Sequence, residues 1–464
     1  MNRRQFLQTA AAPVLAQTPS RRPNILFFFP DQHRFDWTGL NKSLPIRTPH
    51  LEALAQRGVR FDRAIVASPV CAPSRACLAS GMEYERCGVP SNAVDYPNGK
   101  PTFYQALHQA GYHVLGCGKF DLHKASADWG VDGQHGLREW GFTLGIDNAG
   151  KFDAIRSGAE RPRDPYMAYL HQQGLAAAHV ADFQRRAKEG YKATYPTPLP
   201  DAAYCDNWIA QNGLNLLSQV PAGQPWFLQV NFAGPHNPMD VTRRMAEAAP
   251  SRRFSPPHRC RLYTPEEHLA IRQNYSLMIE NIDRWLGRYI DEVRKRGELD
   301  DTLIVFSSDH GEMLGDHSRW AKSVPYQQSI GVPLLIAGPG VKPGITSAAL
   351  VSTIDLAATF LEYAGAPAPK DFDSRSLKPL LEGRVRKHRE YLLSGLGAWR
   401  LVWDGRYKLV RGFDPAGAKP GNNKVFHKSE GPDLLFDLEA DPMEDENLAA
   451  KLPGEVRRLA RLLI

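Results

Sequence analysis

Two unbroken apolar runs dominate the hydrophobic pattern of this chain: Asn24-Ile25-Leu26-Phe27-Phe28-Phe29 and, far downstream, Thr302-Leu303-Ile304-Val305-Phe306. A strand with one face in water alternates polar and apolar side chains. A run without alternation predicts a strand covered on both faces, as in a mainly parallel sheet between layers of helices. The first run ends at Pro30-Asp31-Gln32 and the second at Ser307-Ser308-Asp309-His310. Ligands collect beyond the carboxyl ends of strands in open α/β sheets. One Asp there is commonly a turn residue or helix cap. Two strands ending alike, each with a second ligating side chain beside the Asp, predict a shared metal site.

Further units of the same build lie between them. Thr102 to Gly111 reads as a helix feeding the strand Tyr112 to Gly116, and Pro225 to Phe232 reads as a buried strand ending at Gly234-Pro235-His236. Thr264-Pro265-Glu266-Glu267 combines an N-cap, a proline at the first position and a capping-box Glu, so it opens a helix. That helix puts Tyr275, Met278, Ile279, Ile282, Trp285, Leu286 and Tyr289 on one face, as core packing requires. The stretch from about Gly150 to Tyr204 shows no strand run and mixes Arg156, Arg161, Arg163, Tyr166 and Tyr169. It reads either as an insertion near a substrate entrance or as a solvated face.

After about Gly365 the pattern changes. Trp399 to Trp403, an Asp404-Gly405 turn and Arg406 to Val410 predict a hairpin, Leu434 to Leu438 a further strand, and Glu455 to Leu463 a closing helix. The fold class expected is therefore α/β: a large mixed, mainly parallel sheet sandwiched by helices over residues 21–365. A smaller antiparallel α+β domain follows over residues 366–464.

A chain of 464 residues can bury a large core, and its ordinary composition excludes disorder. The net charge of +7 falls to +5 once Arg3 and Arg4 are set aside, a mild excess that says little about partners. Asn2-Arg3-Arg4-Gln5-Phe6-Leu7, a short apolar stretch and Val14-Leu15-Ala16 read as a twin-arginine export signal with its linker over residues 1–20. No later run reaches the roughly 18 apolar residues of a membrane span. The expectation is a protein of the periplasm or the cell exterior, with no integral membrane segment and no nucleic-acid partner. Six cysteines occur, and none forms the Cys-x-x-Cys pair of a zinc site.

One of them carries the most specific signal. Cys71-Ala72-Pro73-Ser74-Arg75, continued by Leu78 and Gly81, resembles the type I sulfatase signature, in which the cysteine is oxidised to Cα-formylglycine by a maturation enzyme. The resemblance extends, in order, through Arg22-Pro23-Asn24, Gly118-Lys119, Pro235-His236, Ser308 to Glu312, Trp320-Ala321-Lys322, Val351 to Ala357 and Leu435 to Leu438. It implies an alkaline phosphatase-like fold and hydrolysis of sulfate esters, of carbohydrates or small molecules. Asp31, Gln32, Asp309 and His310 would hold one divalent cation together with the group derived from Cys71. Oxygen-rich ligands favour Ca²⁺, and the imidazole leaves Mn²⁺ or Mg²⁺ open.

By the same resemblance Arg75 would hold the aldehyde hydrate, Lys119 and Lys322 would grip sulfate oxygens, and His236 would protonate the departing alcohol. Asn92, Lys119, His236 and Lys322 make up the implied substrate contacts. One departure stands out: Asp121 occupies the slot where many sulfatases carry a histidine. If the segment is extended, Lys119, Asp121 and His123 share a face, and either His123 or Asp121 could be the base that releases sulfate. A phosphonate or phosphate monoester hydrolase of the same superfamily is the alternative activity. A catalytically idle polysaccharide-binding relative is the alternative outside catalysis.

Overall fold

The computed structural model describes residues 22–416 and 431–463. The export signal read over residues 1–20 lies outside the described residues.

The two apolar runs become neighbouring parallel strands at the centre of the molecule. Asn24–Phe28 pairs with Thr302–Phe306 on one side and with Trp226–Asn231 on the other, in parallel both times. His113–Gly118 and Leu144–Asp147 continue the parallel order outward. Beyond Thr302–Phe306 the sheet turns mixed, because Leu334–Ala337 runs antiparallel to both of its neighbours, Thr302–Phe306 and Gly58–Phe61. Ile345–Ser347 closes that edge, giving eight strands among the described residues.

Both faces of the sheet are covered, as the lack of alternation requires. Ile25, Phe27 and Phe29 point into one apolar cluster, with Phe103, Phe227 and Phe360. Leu26 and Phe28 point into the other, with Ile282, Trp285, Leu286 and Tyr289. Each such side chain contributes about 1.5–3 kcal/mol through its burial. The helix behind the second cluster is Pro265–Lys295, and its capping box forms as expected: Thr264 accepts from Glu267 N at 3.2 Å while the Glu267 carboxylate accepts from Thr264 N at 2.9 Å.

The stretch without a strand signal is helical: Phe152–Gly158, Pro165–Gln172 and Ala176–Glu189. Tyr166, Met167 and Leu170 from it are buried in the second cluster. It is therefore part of the core on one side and open on the other.

The C-terminal region forms a four-stranded antiparallel sheet, Leu392–Leu396, Trp399–Trp403, Tyr407–Arg411 and Leu434–Asp437. One face sets Trp399, Leu401 and Trp403 against the main body. The other packs Val402, Leu409 and Leu435 on Leu459 of the helix Pro453–Ala460.

Candidate active site

Four parallel strands release the chain at one end of the sheet, and the residues just beyond them converge. Asp31 and Gln32 follow Asn24–Phe28, Lys119 follows His113–Gly118, His236 follows Trp226–Asn231, and Asp309 and His310 follow Thr302–Phe306. Cys71 enters from another direction, as the first residue of the helix Cys71–Ser80. Asn92 Oδ1 accepts from Ala72 N at 3.0 Å and so ties down the first turn of that helix. A thiol at a helix N-terminus meets the positive end of the helix dipole.

Cys71 Sγ lies 3.8 Å from Asp31 Oδ1 and 3.4 Å from His310 Nε2. One ligating atom from each of Asp31, Cys71, Asp309 and His310 falls within 4.8 Å of all the others, and all four residues are buried. His310 donates through Nδ1 to Gly311 O at 3.0 Å, which turns Nε2 to the cluster. Gln32 adds an amide. Its backbone takes φ 71°, its N–H donates to Asp309 Oδ1 at 3.0 Å, and its Oε1 accepts from Lys322 Nζ at 2.6 Å.

Two buried carboxylates this close need positive charge. Arg75 supplies part of it, 2.9 Å from Asp309 Oδ2 and 3.3 Å from Asp31 Oδ2, with Nη1 donating to Lys119 O at 2.6 Å. Lys119 Nζ contacts Asp31 and lies 3.0 Å from Asp121 Oδ2. Burial opposes the Asp31 anion, but Lys119, His236, Lys322 and Arg75 outweigh it and hold the carboxyl well below the usual range. Burial and Asp31 push the Cys71 thiol up, yet Lys119, Lys322 and Lys124 bring it below an ordinary thiol. His310 is raised by Asp309 against the cost of burial. Two carboxylates and an imidazole drawn together, with the Gln32 amide beside them, fit a divalent cation.

His236 lies in the wall of the cleft. Its Nδ1 donates to Asn237 O at 2.6 Å, and burial followed by the Lys322 charge holds its pKa well below the usual value. The resting ring is therefore neutral, with Nε2 an acceptor. The cleft has a volume of about 980 Å³, with Cys71, Asn92, Lys119, His236 and Lys322 in its wall.

The expected face shared by Lys119, Asp121 and His123 does not form. Asp121 adopts φ 54°, which ends the two-residue alternation, and the chain turns at once. Lys119 and Asp121 still touch, but His123 swings away to place Nε2 3.0 Å from Asp147 Oδ2, among Trp129, Trp140 and His135. The neighbouring Lys124, which the sequence did not single out, takes the place in the cleft. Its Nζ lies 2.8 Å from Asp121 Oδ2 and 2.9 Å from Asp153 Oδ2. The i, i+3 spacing of Asp121 and Lys124 was the available signal. Asp147 was also missed, although it too ends an apolar strand.

The chain shares its sequence pattern and fold with known proteins. Residues 23–366 match the sulfatase family, and residues 315–456 match the C-terminal region of N-sulphoglucosamine sulphohydrolase. The choline-sulfatase of Rhizobium meliloti is 29% identical over 94% of this chain and 84% of its own length. The N-acetylglucosamine-6-O-sulfatase of Bacteroides thetaiotaomicron is 25% identical over 96% and 85%. The phosphonate monoester hydrolase of Agrobacterium radiobacter superposes with a TM-score of 0.78 over 95% of each chain, at 23% identity. With the family match spanning most of the chain, and with the cysteine signature, paired carboxylates and lysines gathered at one sheet end, the protein belongs to the type I sulfatase family and is a sulfatase.

Proposed function

We propose that the protein is an exported hydrolase of sulfated carbohydrates that works through formylglycine at position 71 and one divalent cation. The observation that carries the reading is the position of Cys71. It heads a helix within 4 Å of Asp31 and His310 and keeps the Pro73-Ser74-Arg75 residues that a maturation enzyme would read.

Asp31, Gln32, Asp309 and His310 would hold the cation, Ca²⁺ first among the candidates and Mn²⁺ or Mg²⁺ next, which would polarise the sulfuryl oxygens. As a hydrated aldehyde, residue 71 would supply one hydroxyl to attack sulfur and a second whose deprotonation expels sulfate. Arg75 holds the carboxylates on which that group rests. Lys119 and Lys322 offset the charge of the ester. His236, neutral at rest, gains proton affinity when an anion enters beside it and then donates to the leaving alcohol. Asp121 would take the proton in the release step, a role for which its Oδ1, buried without a hydrogen-bond partner among the described residues, is free.

The carbohydrate assignment draws on the N-acetylglucosamine-6-O-sulfatase relative and on the cationic cleft, which disfavours a substrate whose alcohol part carries a quaternary ammonium, as in choline sulfate. Residues 1–20 would direct export, residues 21–365 would form the catalytic domain and residues 366–464 its C-terminal companion. Matched aryl sulfate and aryl phosphonate esters test the reading. Faster turnover of the sulfate is expected. A preference for the phosphonate would move the assignment to phosphonate monoester hydrolysis, the activity named for the A. radiobacter structure.

A further inference from the structure

The cations around the cleft are not equally balanced. At its inner end several cations lie directly against carboxylates: Lys119 contacts Asp31, Lys151 lies 2.6 Å from Asp240, and Arg186 lies 2.8 Å from Asp182. Toward the helical stretch 152–163 the acids thin out. Lys124 lies between Asp121 at 2.8 Å and Asp153 at 2.9 Å, and Arg156 has only a share of Asp153, at 3.2 Å. Arg163, also in the cleft wall, has no ion pair among the described residues.

Arg163 is exposed, but its backbone is fixed. Its carbonyl accepts from Trp129 N at 3.3 Å, and its N–H packs 3.5 Å from where a Cβ on Gly158 would stand, directly behind the helix carrying Arg156. Arg156 and Arg163 thus line the cleft from adjacent segments. A cleft of about 980 Å³ is at the upper end of small-molecule sites, so it has room beyond the ring that bears the scissile ester. A guanidinium presents a planar fork of donors that matches a carboxylate or a sulfate.

We propose that Arg163 and Arg156 form a second anion subsite. It receives a carboxylate or a sulfate on the sugar next to the one being desulfated. The inference rests on the sulfated-carbohydrate reading above and specifies the substrate further: an oligosaccharide with anionic groups on adjacent rings.

Three disaccharides that share one sulfated terminal ring test it, with a neutral hexose, a uronic acid or a sulfated hexose as the second ring. The quantity read is kcat/KM for each anionic partner divided by kcat/KM for the neutral one. In the native enzyme the ratio is expected to be about tenfold or more for at least one anionic partner, the scale of a charge-assisted hydrogen bond, and to shrink as salt is raised. Arg163→Ala together with Arg156→Ala should bring it near unity, and Arg163→Lys should keep part of it.

A ratio at or below unity in the native enzyme overturns the proposal. So does a ratio that survives both substitutions. The uronic acid and the sulfated hexose separate the two anion chemistries. A failure of the reaction assignment would look different, because it would appear as loss of turnover on all three disaccharides and on a small aryl sulfate.

Discussion

Lys322 Nζ donates to Gln32 Oε1 at 2.6 Å while the amide nitrogen of the same Gln32 is held by the Glu312 carboxylate. Glu312 is fully buried, and its oxygens also accept from Leu314 N at 2.8 Å, Ala321 N at 2.6 Å and Tyr191 OH at 3.0 Å. With the amide nitrogen on Glu312 and the oxygen on Lys322, which only donates, the Gln32 amide is fixed in one orientation. Groups that orient metal ligands typically matter by about 10–100-fold in metal affinity. Glu312→Ala should therefore shed divalent metal at a lower chelator concentration than the native enzyme. Unchanged retention would show that Glu312 only fills space.

Asp309 binds Arg75 through one oxygen and Gln32 N through the other. Asp309→Ala should abolish turnover and lose the cation. It also weakens the compensation of a buried guanidinium, at a cost of about 3–5 kcal/mol, so a lower melting temperature with native far-ultraviolet dichroism is expected. Elemental analysis that finds no metal in active enzyme would rule out the metal assignment itself.

Cys71 should carry an aldehyde when the protein is made in a host with the maturation enzyme, read by mass spectrometry of the peptide around Pro73-Ser74-Arg75. Cys71→Ala should lose essentially all activity. Full activity with an unmodified thiol at position 71 would overturn the mechanism.

His236 predicts a pH profile. Burial and then Lys322 hold its pKa below the usual histidine value in the free enzyme. A general acid must be protonated, so kcat/KM should fall as pH rises through that lowered value, which puts the optimum on the acid side of neutrality. His236→Ala should remove this limb. It should also cost far more with an alkyl or sugar sulfate than with nitrophenyl sulfate, whose leaving group needs no proton. Equal losses on both would remove His236 from the protonation step.

The central strands and the gathering of Asp31, Asp309 and His310 beyond their ends were legible because the sequence there carries unambiguous patterns: an unbroken apolar run, then Asp with a second polar side chain. The Cys71 motif and the Thr264 capping box were legible for the same reason, since each is local. The helical stretch was not read, although Asp164 caps its second helix ahead of Pro165, a start signal of ordinary strength. Gly58–Phe61 and Leu334–Ala337 were missed because short apolar runs do not distinguish strand from helix. The turn at Asp121 could not be read from periodicity at all. A single left-handed residue leaves no repeating trace, and it decides which of three polar neighbours reaches the cleft.

That turn separates the two candidates for the base in sulfate release. Asp121 is buried beside Lys119, with Oδ1 free of hydrogen bonds among the described residues; burial opposes its anion, but Lys119, Lys124 and Arg75 bring its pKa down to about 2. A carboxyl held there is ionised at neutral pH and so is able to accept a proton. His123 is bound instead to Asp147, whose other oxygen accepts from Phe120 N at 3.0 Å, so it braces the loop that carries Lys119 and Asp121. Attack and release are separate steps, and loss of the releasing base still permits the first. Asp121→Asn should give a burst of alcohol followed by slow sulfate release in rapid-mixing experiments. His123→Ala should instead lower thermal stability and raise KM without a burst, because it loosens the loop and leaves the base in place. A burst in His123→Ala but not in Asp121→Asn would transfer the role to His123. Bursts in neither would place the base elsewhere among the groups around residue 71.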